Sequence, residues 1–212
     1  MTLDTVHLKL TDYTIEPDTV LEIHPSAYVV GTGEKKSEFP LYRNTEGEEF
    51  RGAFAKLNTP HYQATMKPFS AGGKKSTNLF VNFSVPKVHY GNNFYSVGEE
   101  GSQAVFKSIE QELWQAGIHT DIETADLCRI DTFKNIEPEE EFSAYAPLFG
   151  MLKMRRGIDK VFPEGFLALN GQQQFCIYDK IAEMKHRKVD TSHFPAMAMR
   201  FEHRAMNKDK VQ

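Results

Sequence analysis

Cysteine is scarce in this chain, and long apolar runs are absent. Only two cysteines, Cys128 and Cys176, occur in 212 residues. Two cysteines so far apart make neither a disulfide framework nor a Cys-x-x-Cys metal site, and they point to a reducing compartment. No run of about eighteen apolar residues is present, so nothing reads as a membrane-spanning helix. The opening residues MTLDTVHLKL lack a basic segment followed by an apolar one and do not read as a secretory signal. A cytoplasmic protein with no membrane partner is the expectation.

Several catalytic patterns are missing too. Gly72-Gly73-Lys74-Lys75-Ser76-Thr77 ends like a phosphate-binding loop but lacks the upstream glycine, which excludes nucleotide hydrolysis of that type. There is no His-Glu-x-x-His and no Ser-His-Asp arrangement. The eight histidines, His7, His24, His61, His89, His119, His186, His193 and His203, are dispersed and form no His-hydrophobe-His pair. A carboxylate-based site is the expectation for any metal, with His61 and His203 as minor candidates for a ligand.

What is present is ordinary globular material: 40% apolar and 25% charged residues. That suits one domain over residues 1–212 with a sizeable core. The net charge of −4 hides an asymmetry, since residues 150–212 carry a balance of +5 and residues 1–149 one of −9. A basic third suits a polyanionic partner, although a solvated basic tail has the same composition.

The patterning alternates between the two periods. Leu79–Val85 alternates as a strand closed by Pro86. Ser102–Ala116 has helical spacing through Val105, Phe106, Ile109, Leu113 and Trp114, with Trp114 in the core and Gly117 as the stop. Thr124–Phe133 reads as a strand. Pro138 opens a helix with Glu139, Glu140 and Glu141 in its first turn, and Pro147 shortens it. Asn170-Gly171 between two β-rich runs predicts a hairpin with a type I′ turn. A helical or irregular stretch follows, and Met197–Arg204 alternates again. The order implies an α+β fold, with helices packed on one face of a mainly antiparallel β-sheet.

Three strand segments carry charge where a half-buried strand prefers apolar residues. They are Arg129-Ile130-Asp131, Tyr178-Asp179-Lys180, and Arg200-Phe201-Glu202-His203-Arg204. If these strands are neighbours, Asp131, Tyr178, Lys180 and Glu202 converge on one surface. Two carboxylates without a nearby thiol form an oxygen site suited to Mg²⁺ or Mn²⁺. A tyrosine beside them is a candidate nucleophile, with Lys180 and a metal favouring its ionised form. Salt bridges lining a solvated sheet face are the competing reading.

In this order the segments resemble the signature of filamentous-phage replication initiation proteins of the gene II/gene X type. They are also similar to the Rep_trans rolling-circle initiators of small plasmids. Glu183 follows Lys180 at the phage spacing, and Ser84-Val85-Pro86-Lys87-Val88 with Gly91-Asn92 resembles an upstream region of the phage proteins. The resemblance runs over residues 79–207. It implies a single nicking and DNA-binding domain acting in a bacterial host cell. Such an enzyme is a metal-dependent DNA endonuclease and strand transferase. It nicks one strand of supercoiled double-stranded DNA at an origin and reseals it through a covalent 5′-phosphotyrosine intermediate.

By this resemblance Tyr178 is the nucleophile, with Lys180 and Glu183 as further catalytic residues. Asp131 and Glu202 hold Mg²⁺ or Mn²⁺, while Arg129, Arg200, Arg204 and Lys87 contact DNA. Its implied partners are origin DNA, single-stranded DNA, a separate host helicase, and a second copy of the chain on repeated sites. Tyr90 and Tyr95 are candidates for stacking on unpaired bases. A non-catalytic single-stranded-DNA-binding regulator of phage replication is the alternative.

Overall fold

The computed structural model describes residues 2–16, 19, 21–23, 41–43, 49–51, 55–71, 74–152, 157–162 and 165–206. Residues 31–48, rich in glycine and charge and read as loops around a short strand, lie mostly outside the described residues. Strands β1 (Thr2–Leu10), β2 (Tyr13–Ile15), β3 (Glu22–Ile23), β4 (Leu41–Arg43), β5 (Glu49–Arg51), β6 (Ala55–Asn58), β7 (Tyr62–Ala71) and β8 (Lys74–Ser84) come first. Helices α1 (Val85–Tyr90) and α2 (Glu99–Gln115) follow, then β9 (Ile118–Thr120), a 3₁₀ turn (Ile122–Thr124), β10 (Asp126–Ile136) and α3 (Phe142–Phe149). The chain closes with β11 (Ile158–Phe162), β12 (Gly165–Leu169), β13 (Gln173–Asp179), α4 (Lys180–His186) and β14 (Met199–Met206).

Ten strands form one antiparallel sheet in the order β11-β12-β13-β14-β10-β1-β8-β7-β6-β3, while β2 pairs with β9 and β4 with β5. This is the α+β, mainly antiparallel architecture read from the sequence. The N-terminal strand β1 sits between β10 and β8 and so joins the two halves of the sheet.

The cores follow from residue periodicity. In β1, Val6, Leu8 and Leu10 repeat every second position, and in β8 so do Leu79, Val81 and Phe83. Val105, Ile109 and Leu113 of α2 pack on this stripe as one buried cluster. Burying each of these side chains contributes about 1.5–3 kcal/mol. A second cluster puts Phe142 and Phe149 of α3 on Phe166, Ala168, Ile177 and Met199, the face of β12–β13–β14 opposite the polar segments.

Four local expectations are corrected. Pro86 does end β8, but as a first-turn residue of α1, where its missing N–H costs nothing. Helix α3 begins at Phe142 rather than Pro138, because Phe142 and Phe149 dock on the sheet while the three glutamates stay outside. Trp114 is 52% exposed, since the buried stripe of α2 passes through Leu113, about 100° away around the helix. Its indole donates to the Thr120 carbonyl at 2.9 Å.

The β12–β13 hairpin exists without a type I′ turn. The positive-φ residues among those described are Gly91, Gly117 and Lys188, not Gly171. Instead, the Asn170 side-chain oxygen accepts from the backbone N–H groups of Gln172 and Gln173, each at 2.9 Å. The asparagine closes the turn through its own side chain rather than through left-handed backbone.

Candidate active site

Strands β13, β14 and β10 are neighbours, and their register stacks the three charged segments. Tyr178, Cys176 and Gln174 of β13 stand opposite Arg200, Glu202 and Arg204 of β14. On the other side those β14 residues face Asn135, Phe133 and Asp131 of β10. Opposed residues of an antiparallel pair point to the same face, so one sheet surface carries Tyr178, Arg200, Glu202, Arg204, Asp131 and Arg129.

Across the β13–β14 diagonal the Tyr178 hydroxyl donates to Glu202 Oε2 at 3.1 Å. Burial holds the Tyr178 phenol well above its usual pKa; Arg200 opposes this, and Glu202 and Glu183 add to it. Arg200 does favour the ionised form, but desolvation outweighs its charge. Burial, followed by the charge of Asp4, also raises the pKa of the Glu202 carboxyl.

Asp131 is buried and clamped. Arg129 donates to both its oxygens, through Nε at 2.8 Å and through Nη2, and Arg204 Nε reaches both at 3.2 Å. Arg204 also donates to Gln174 at 3.1 Å and lies 3.6 Å from Glu202. Hydrogen bonding to Asp131 raises the Arg129 pKa further. Both arginine side chains remain about a quarter exposed, at 28% and 24%.

Lys180 is not a strand residue. The backbone turns at Asp179, whose side chain caps α4 by accepting from the Ala182 N–H at 2.9 Å. Lys180 is thereby drawn inward until only 1% is exposed, and it donates to Glu183 at 2.7 Å and Asn93 at 3.0 Å. Burial, then the positive charge of Arg200, lowers its pKa. Glu183 is shared with Arg187 and is a partner of Lys180 rather than of the Tyr178 hydroxyl. Lys87 is exposed on α1.

Arg200 is wholly buried beneath this face, at 0% exposure. It donates to Asn135 at 2.8 Å and to the Asn93 carbonyl, and its guanidinium lies 4.0 Å from the centre of the Phe133 ring. Its position corrects the expectation of a DNA contact: a side chain with no exposed surface holds the site together from below. Nη1 has no hydrogen-bond partner among the described residues and lies 3.6 Å from Asp4 Oδ2.

Asp4 was missed in the sequence. The β1–β10 register shifts between Leu3 and Val6, a bulge that leaves Asp4 and Thr5 against the single residue Asp131. Burial raises the Asp4 pKa, opposed by Arg200. A signal existed: Asp4 occupies the same alternating stripe as Val6, Leu8 and Leu10. Asn93 and Asn135 carried no signal, because their roles come from loops and strands distant in sequence.

Asp4, Asp131 and Glu202 feel one another's charge, yet among the described residues no group of three or more His, Cys, Asp or Glu side chains is placed to hold a metal ion. His203 points to the other side of β14, opposite Thr132 and Phe175, and His61 pairs with Glu112 at 2.6 Å. Neither cysteine is in a disulfide; Cys128 is buried, and Cys176 is partly buried beside Gln174. No helix among the described residues is long and apolar enough to cross a membrane. The sequence matches no family model and no curated protein.

Proposed function

We propose that the protein is a rolling-circle replication initiator, nicking and resealing one DNA strand through a tyrosine nucleophile. The observation that carries this reading is the Tyr178 hydroxyl donating to Glu202 on a sheet face bordered by Arg129 and Arg204. Glu202 accepts the phenolic proton as the Tyr178 oxygen bonds to phosphorus. The P–O3′ bond breaks, the departing 3′-oxygen takes up a proton, and the 5′ end remains on Tyr178 as a phosphotyrosine ester. Because one phosphoester replaces another, the reverse transfer reseals the strand without nucleotide hydrolysis. Arg129 and Arg204 offer the donors that steady the charge growing on the phosphate.

Mg²⁺ or Mn²⁺ belongs to this reading through the carboxylates. Asp131 and Glu202 are oxygen donors of the kind hard cations take. Asp131 would have to give up part of its arginine clamp to serve. When bound, the cation would supply Lewis-acid polarisation of the phosphate oxygen.

The test uses supercoiled DNA of the element that encodes the protein, with Mg²⁺ or Mn²⁺. The expected products are open circles with protein on the 5′ end, and neither product with Tyr178→Phe. Equal nicking by that variant overturns the reading. DNA binding without nicking by the unmodified protein favours the non-catalytic regulator.

A further inference from the structure

The turn between α1 and α2 is pinned to the candidate active site. Asn93 accepts from Lys180 Nζ through its side chain at 3.0 Å and from Arg200 through its carbonyl. The next carbonyl, that of Phe94, accepts from Asn135 at 2.6 Å. Asn92 tightens the turn by accepting from the Phe94 N–H at 3.0 Å, and the Phe94 ring is buried with Ile181, Met184 and Ala198. This short segment is thus tied to α4, β10 and β14 together.

On either side of that anchor two tyrosines stand out into solvent. Tyr90 is 45% and Tyr95 44% exposed, their rings 5.9 Å apart and inclined at 74°. Phe194 continues the group, 5.6 Å from Tyr95 and 4.7 Å from Phe94. A single exposed aromatic is ordinary, but a contiguous set on a rigid turn is an interaction surface. Tyr95 is two residues from Asn93, so their Cα atoms lie within about 7 Å. Lys87 is exposed three residues before Tyr90, on the same side of α1, which puts a cation beside the rings. Partly exposed aromatic rings next to a cation suit unpaired bases on a phosphate backbone, whereas paired bases present no free ring face.

We propose that Tyr90, Tyr95 and Phe194 form a stacking platform for unpaired bases of the DNA strand adjoining the phosphate that Tyr178 attacks. The placement rests on the nickase reading; the platform's affinity for single strands does not. Asn93 couples the two, since the loop that carries the rings also holds Lys180 and Arg200.

The experiment measures fluorescence anisotropy of a labelled oligothymidylate, with unlabelled duplex as competitor, and scores the 5′ adduct on supercoiled DNA separately. Tyr90→Ala/Tyr95→Ala should weaken oligothymidylate binding by about tenfold per ring removed. Duplex binding should stay unchanged, and Tyr90→Phe/Tyr95→Phe should bind like the unmodified protein. Tyr95→Leu, which keeps apolar bulk without a ring face, should behave like Tyr95→Ala. Unchanged affinity in a folded alanine pair, or no oligothymidylate binding by the unmodified protein, overturns the platform whatever the adduct assay gives. A weakened alanine pair, with no adduct formed by the unmodified protein, overturns the nickase reading and leaves the platform standing.

Discussion

Tyr178 and Glu202 meet across the β13–β14 diagonal at 3.1 Å, with the phenol as donor. Burial raises the pKa of both groups, so the phenol holds its proton more tightly and the Glu202 carboxylate is a stronger acceptor for it than either would be in water. A protonated phenol cannot attack phosphorus efficiently, so an acceptor in contact with it is the arrangement a tyrosine nucleophile needs. Glu202→Gln preserves the shape and removes the base. Single-turnover adduct formation should fall by about 10²- to 10⁴-fold while DNA affinity changes little. A variant that forms the adduct at the normal rate would remove Glu202 from the proton transfer.

Asp131 is a second point of sensitivity, because two guanidiniums share its buried carboxylate. Asp131→Ala leaves Arg129 without its hydrogen-bonded carboxylate and Arg204 with Glu202, 3.6 Å away, as its counter-ion. A stability loss of about 3 kcal/mol is expected, readable as a lower urea midpoint at unchanged slope. Deleting the two arginines together with Asp131 should cost less than the single change, since the two guanidiniums are then no longer left without the Asp131 carboxylate. Equal losses would show that the pairing contributes little.

His7 supplies a pH dependence of known sign. It lies in β1 against Phe80, and burial, then the charges of Arg129 and Lys67, lower its pKa below the ordinary value of 6.5. The unfolded chain therefore takes up a proton at a higher pH than the folded one. The contribution from a neutral His7 is present above pH 6.5 and is lost as the pH falls below it. His7→Phe should flatten the decline in melting temperature between pH 6.5 and the acid limit, and an unchanged slope would exclude this group.

Gly117 ends α2 with φ +79°, and a Cβ there would collide with the Thr19 hydroxyl. That hydroxyl donates to the Gly117 carbonyl at 3.1 Å. Gly117→Ala thus combines left-handed backbone with a displaced hydrogen bond. A loss of about 2 kcal/mol is expected by chemical denaturation. Gly117→Ala/Thr19→Ser should recover little, since the hydroxyl remains in the way.

Short-range patterns carried much of the architecture. The alternation in Leu79–Phe83, the helical spacing of Val105, Ile109 and Leu113, and the Asn-Gly hairpin each depend on residues a few positions apart. Ridges, pleats and turns obey those spacings wherever the chain folds. The errors came where a tertiary contact outweighed a local preference. Trp114 fell just off the buried stripe, Phe142 set the start of α3 against a proline signal, and the Asn170 side chain chose the turn.

The sequence by itself determined that Asp131, Tyr178 and Glu202 sit in strands whose core face is apolar, because side-chain alternation has a period of two. Only the tertiary structure decided what those groups touch. The strand order puts β14 between β13 and β10, the bulge in β1 brings in Asp4, and the turn at Asp179 buries Lys180 against Asn93. Contacts between residues tens of positions apart depend on register and packing, and no local spacing encodes these.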